Sequence, residues 1–126
     1  MRPEELYLAD IVDAADAITA FVSTVDRAAF LQDEMRQSAV LQKLIVIGEA
    51  ASRLPAEFRD RHADIEWPDV VGFRNIAVHA YFDVNWSIVW ITAMQDVPAL
   101  RAKIIAIVAQ EYPDLLNPPD AEETNG

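Results

Sequence analysis

Apolar residues recur at steps of three and four along almost the whole chain, and turn-forming residues are scarce in it. Leu8, Ile11, Val12, Ala15, Ile18, Val22 and Val25 make one such stripe, the spacing that lines one face of a helix rather than one face of a strand. Only three of the 126 residues are glycine, and the one Asn-Gly dipeptide, Asn125-Gly126, closes the sequence. Tight hairpins, which lean on Asn-Gly and Asp-Gly turns, therefore lack their usual material. The expectation is all-α: an up-and-down helical bundle of four to five helices.

The pattern divides the chain into segments. A first helix is predicted from about Glu4 to Thr24, with Pro3 at a suitable start, followed by a short link through Asp26 and Phe30. Val40, Leu41, Leu44, Ile45, Ile47, Gly48 and Ala51 give a second long helix, stopped by Leu54-Pro55. Gly48 weakens helix propensity there, and its use is close helix–helix approach. Pro55 to His62 reads as one or two polar helical turns. A third helix opens at Trp67-Pro68-Asp69 and runs to about Ala80. The last, capped by Asn85, carries Trp86, Trp90, Ala93, Val97, Leu100, Ile104 and Ile107 and is expected to run unbroken to Tyr112. Pro98 removes the backbone bond to Met94 and is predicted to kink it. Its stripe reads first as bundle core and second as a surface for a dimer partner.

Residues 1–112 form one domain on this reading, and 113–126 an acidic tail expected to be disordered. The tail, rich in proline and acid, has no opposing base. The formal charge of −11 divides into −6 on residues 1–110 and −5 from Glu111 onward. Such a balance argues against a broad basic face tracking a phosphate backbone, though not against a small phosphate site. The absence of cysteine removes disulfides, thiolate metal sites and a cysteine nucleophile. His62 and His79 are the only histidines, too few for a histidine metal cluster. No stretch approaches 18 uninterrupted apolar residues and the start lacks a signal-peptide pattern, so a cytoplasmic location without membrane contact is expected.

One stretch departs from amphipathic filler. Gly72-Phe73-Arg74-Asn75-Ile76-Ala77-Val78-His79-Ala80-Tyr81 sets Arg, Asn, His and Tyr among small and apolar neighbours. Arginine offers a fork of donors that matches a phosphate; histidine takes and returns a proton near neutral pH. Asn75 and His79 share a helix face, whereas Arg74 and His79 lie about 140° apart around an ideal helix. Either the helix ends near His79, or the working site combines copies from two chains about a two-fold axis. On residue chemistry alone, a satisfied core histidine and an arginine paired near Asp69 are the favoured account of the segment.

The arrangement Arg74, four residues, His79, one residue, Tyr81 resembles the HEPN-domain motif in its HepT toxin form. The likeness extends to Arg2-Pro3-Glu4, Tyr7-Leu8, Phe30-Leu31 with Asp33, Ala39-Val40, Ile47-Gly48-Glu49-Ala50, Leu54-Pro55 and Trp67 through Gly72, roughly residues 2–110. Phe73 and Asn85 are mild departures. The resemblance implies a homodimeric helical bundle acting as a metal-independent endoribonuclease, the toxin of a toxin–antitoxin pair. In it Arg74 and His79 are catalytic and Asn75 supports them. Tyr81 receives AMP from a partner nucleotidyltransferase, the antitoxin, which holds the ATP and magnesium, so no cofactor is assigned to this chain. The rival reading is a non-catalytic helical module that binds such a nucleotidyltransferase. Other residues keep open roles: Glu49 as a partner of Arg74 or Arg53 or an orienter of the cleft, Asp33 as a cap or a bond to the motif. His62, in Arg59-Asp60-Arg61-His62, is read first as part of a solvated polar turn and second, with the bases beside it, as an RNA-contacting edge. Trp67, Trp86 and Trp90 are read as core or dimer interface before base-stacking groups.

Overall fold

A computed structural model describes residues 3–79 and 85–116. Among them the chain is helical throughout, with no strand: α1 (Glu4–Val22), α2 (Arg27–Phe30), α3 (Glu34–Arg53), α4 (Ala56–Arg61), α5 (Trp67–His79), α6 (Trp86–Ile91) and α7 (Val97–Glu111). The long helices pack α5 on α3, α3 on α1, and α1 on α7. Tyr7, Leu8, Ile11, Ala14, Ala15, Ile18 and Val22 bury the inner stripe of α1; Val40, Leu41, Leu44, Ile47, Ala50 and Ala51 do so on α3. The expected core stripe of the last helix is buried from Ala93 through Val97, Leu100, Ile104 and Ile107, with Trp86 and Trp90 half-buried against it.

Two local features, in the link after α1 and in the last helix, differ from the sequence-based expectation, and a third decides between the two roles left open for Asp33. The link after α1 contains a helical turn, α2, because Asp26 caps it by accepting from the Ala29 amide at 2.8 Å. The next helix starts at Glu34, earlier than its apolar stripe suggests, because the Asp33 carboxylate accepts from the Arg36 amide at 3.0 Å and also pairs with the Arg36 guanidinium. Gln37, buried on α3, donates to the Phe30 carbonyl at 3.0 Å and locks the two elements together. The last helix is divided: Thr92–Asp96 form a π-helical turn between α6 and α7. Proline cannot donate to the carbonyl four residues back, and here the Val97 amide reaches Thr92 instead, one residue wider than an α-turn. The missing bond at Pro98 is thus absorbed as a π-bulge just upstream. Asn85 caps α6 as expected, accepting from the Ser87 and Ile88 amides.

At the other end of α7 a polar cluster ties three helices together. Arg61 donates to Glu111 at 2.9 Å and lies within 4.0 Å of Glu4, while Tyr112 donates to Glu4 at 2.6 Å. Burial first, and the hydrogen bond to Glu4 second, push the Tyr112 phenol up to about 12. Burial pushes Glu111 up as well, but the hydrogen bond from Arg61 and the neighbouring His62 and Arg61 charges outweigh it and hold that carboxyl below its usual range. His62 belongs to this cluster and not to a solvated turn. Its side chain is 14 % exposed, with Nε2 against a Glu111 oxygen and its ring 4.7 Å from that of the fully buried Phe58. The polar look of Pro55–His62 conceals Phe58, which pins the whole turn to the core.

Past Tyr112 a 3-10 turn at Pro113–Leu115 extends the helical unit, with Leu115 packed on the core. The rest of the acidic segment, from residue 117, lies outside the described residues, as does Tyr81. No helix among the described residues is long and apolar enough to cross a membrane.

Candidate functional site

The motif segment sits on α5, and α3 decides how it is held. Gly48 faces it: a Cβ added there would lie 2.7 Å from the Arg74 amide nitrogen, 2.8 Å from the Arg74 Cβ and 3.0 Å from the Val71 carbonyl oxygen. Atoms do not approach so closely, so only glycine permits this spacing of α3 and α5. The helices touch backbone to backbone at the residue that carries the motif arginine.

Glu49, next to that glycine, receives the side chain of Arg74. Arg74 Nη1 donates to Glu49 Oε1 at 3.0 Å, and Arg53 Nη2 lies 3.9 Å from Glu49 Oε2. One carboxylate therefore answers both arginines. The Arg74 side chain remains 35 % exposed, and Glu49 occupies only one terminal nitrogen, which leaves the rest of the guanidinium fork free to meet a planar or tetrahedral anion.

Asn75 points elsewhere. It is exposed and borders an open cleft of about 650 Å³ between α4 and α5, together with Pro68, Val71, Gly72 and Arg59. Pro68, Val71, Gly72 and Asn75 are spaced at three, four and seven, one face of a helix. His79, the last of the described residues on α5, is the next position on that face. The structure thus brings Asn75 and the His79 position to one side of α5 and turns Arg74 to another, toward α3. The side chain of His79 lies outside the described residues, as Tyr81 does entirely.

Trp67 packs in the core, and Trp86 and Trp90 are partly buried against it. Trp67 is buried edge-on to Phe58, with Nε1 donating to the His62 carbonyl, and Trp90 packs 5.3 Å from Phe30. Asp33 is spent on its cap. Among the described residues no three of His, Asp and Glu converge in a way that would hold a metal ion. Sequence reasoning left the pairing of Glu49 open between Arg74 and Arg53, and it did not single out Arg59. The only sequence signal for Arg59 was its place in the Arg-Asp-Arg-His run.

A family model described as "Ribonuclease HepT-like" matches residues 11–107. Among curated proteins, a probable ribonuclease HepT of Thermococcus cleftensis is 35 % identical over 102 residues, covering 81 % of this chain and 93 % of the relative. A candidate RNase of Caldanaerobacter subterraneus subsp. tengcongensis is 31 % identical over 111 residues, covering 88 % and 99 %. Another, from Methanocaldococcus jannaschii, is 30 % identical over 103 residues, covering 82 % and 94 %. No solved structure matches.

Proposed function

The chain belongs to the HepT-like ribonuclease family, and from that premise we propose that it is a toxin endoribonuclease that needs no metal ion. The 2′-hydroxyl of one nucleotide attacks the adjacent phosphorus while the 5′-oxygen of the next leaves. The products are a 2′,3′-cyclic phosphate and a 5′-hydroxyl. His79 takes the proton from the attacking hydroxyl or returns one to the leaving oxygen. Arg74 stabilises the charge that grows on the phosphorane oxygens. The observation that carries the reading is the seat of Arg74: a helix spacing that only Gly48 allows, and a carboxylate, Glu49, that holds one nitrogen of the guanidinium and leaves the others free.

Within one helix Arg74 and the His79 position face different ways, so a complete site draws on two copies of the chain about a two-fold axis. Each copy then supplies one histidine, one as acid and one as base, with Asn75 orienting the cleft. In this arrangement Glu49 is a positioning residue. Glu49→Gln is expected to lower kcat about ten- to a hundredfold with a smaller change in KM, because a slack guanidinium misplaces transition-state charge more than it weakens binding. Equal loss on both parameters, or none, contradicts that role.

Regulation falls to Tyr81, two residues beyond His79. A partner nucleotidyltransferase transfers AMP to its hydroxyl from ATP with release of pyrophosphate. The added anion repels RNA phosphate and fills the approach to His79. The test is co-incubation with the cognate partner, ATP and magnesium: Tyr81 should gain AMP by mass spectrometry and RNA cleavage should fall with it. Unmodified Tyr81 in a silenced complex would favour the rival reading, a helical module held by its partner without modification. Cleavage by the free chain, lost in Arg74→Ala, decides between toxin and binding module.

A further inference from the structure

Nine of the ten bases lie among the described residues, and seven of those nine are committed. Arg27 donates to Ser87, Lys103 to the Asp64 carbonyl, and Arg36, Arg53, Arg61, Arg74 and Arg101 each face a carboxylate. Arg59 and Lys43 have no such partner. Arg59 is the unusual one, because its Nε is buried without a hydrogen bond. The two other buried nitrogens in that condition, Arg36 Nε and His62 Nε2, at least rest against Asp33 and Glu111; Arg59 Nε rests against no carboxylate. A charged donor left unpaired in a desolvated place is costly, and a protein of net charge −11 has carboxylates in plenty to pair it with.

Arg59 borders the α4–α5 cleft, across from the face of α5 that bears Pro68, Val71, Gly72 and Asn75. The floor of that cleft is open: a Cβ added at Gly72 meets no heavy atom within 4 Å. Gly72 and the His79 position are seven residues apart on α5, about 10 Å along the axis, close enough for one RNA strand to pass both. Asp60 and Glu66 also border the cleft. They limit it to a single phosphate and offer acceptors to the amino groups of a base.

We propose that Arg59 and the open face of α5 at Gly72 and Asn75 form a phosphate subsite for an RNA nucleotide flanking the one that is cleaved. The proposal rests on the ribonuclease reading for its ligand and adds to it where the substrate strand lies.

The test is binding of a fluorescent hexanucleotide RNA with 2′-O-methyl groups, which cannot be cleaved, to the full chain. Arg59→Gln is expected to weaken binding about tenfold at low salt, the scale of one charge-assisted contact. The slope of log affinity against log salt should fall by about 0.7, the single-strand value for one phosphate. Arg59→Lys recovers part of the affinity, and Gly72→Leu, which fills the cleft without touching the core, reproduces the loss. Lys43→Gln, removing the other unpaired base away from the cleft, changes affinity little. Unaltered binding in both Arg59→Gln and Gly72→Leu, an equal loss in Lys43→Gln, or no binding by the unsubstituted chain overturns the subsite. Cleavage of unmodified RNA by the same preparations separates the two claims. Cleavage that survives His79→Ala sinks the ribonuclease reading, whereas His79-dependent cleavage with indifferent Arg59 sinks the subsite alone.

Discussion

Replacing His79 with alanine is expected to lower RNA cleavage by a factor of about 10² to 10⁴, the range that a positioned proton-transfer group supplies. The fold should survive, because the buried face of α5 is built upstream of His79 by Trp67, Val70 and Phe73. Arg74→Ala should cost cleavage about 10² to 10³ if the guanidinium meets charge that develops only in the transition state. It also strips Glu49 of its 3.0 Å partner, leaving only Arg53 to answer that carboxylate. Arg74→Lys is the sharper variant: it keeps the charge but loses the fork, and recovery of most activity would show that planar donors are not needed there. Purified variants with unchanged melting behaviour, assayed on the same RNA, give the comparison. Activity in His79→Ala within a fewfold of the parent contradicts the assignment.

The second large effect is on folding. Gly48→Ala places a methyl group 2.7 Å from the Arg74 backbone nitrogen and 3.0 Å from the Val71 carbonyl. Both are helix backbone and cannot swing aside as a flexible side chain would. Alanine is otherwise the better helix former by about 1 kcal/mol, so the sign of the outcome is diagnostic. If α3 and α5 meet as described, overpacking costs about 1–3 kcal/mol and overrides the propensity gain. For a domain near this size, a net loss of 1 kcal/mol lowers Tm by about 2–8 °C. A raised Tm would mean that the two helices stand further apart. Gly72→Ala is the matched control: with open space around its Cβ, the same substitution one helix away should be neutral or stabilising.

The fold was largely legible because burial imposes a period. Leu8 through Val22, and Val40 through Ala51, repeat at helical steps and are the residues that the bundle buries. What periodicity could not show were features made by polar atoms. Glu34–Ser38 carry no apolar stripe, so the true start of α3 is visible only through the Asp33 cap. The π-turn at Thr92–Asp96 leaves every residue in helical register to the eye, and only the proline two residues later hints at it. His62 read as solvated because its neighbours are charged, yet Phe58 carries it inward.

For the site, the useful signal was the pairing of a helix-weakening glycine with an acid, Gly48-Glu49, one helix away from Arg74. Residue spacing could suggest close approach but not which side chain Glu49 would meet, since Arg53 and Arg74 were both within sequence reach. Arg59 was visible only as one base of the Arg59–His62 run: what sets it apart is the lack of a partner, which no sequence displays.

The central claim is that this helical bundle cuts RNA by its own side chains, through attack of the neighbouring 2′-hydroxyl. The most direct measurement is the chemistry of the cut ends after RNA is incubated with the purified chain, free of its partner, in excess chelator. The account predicts 2′,3′-cyclic phosphate and 5′-hydroxyl ends, lost in His79→Ala. Products bearing 5′-phosphate, or cleavage that appears only when a divalent metal is restored, would contradict it.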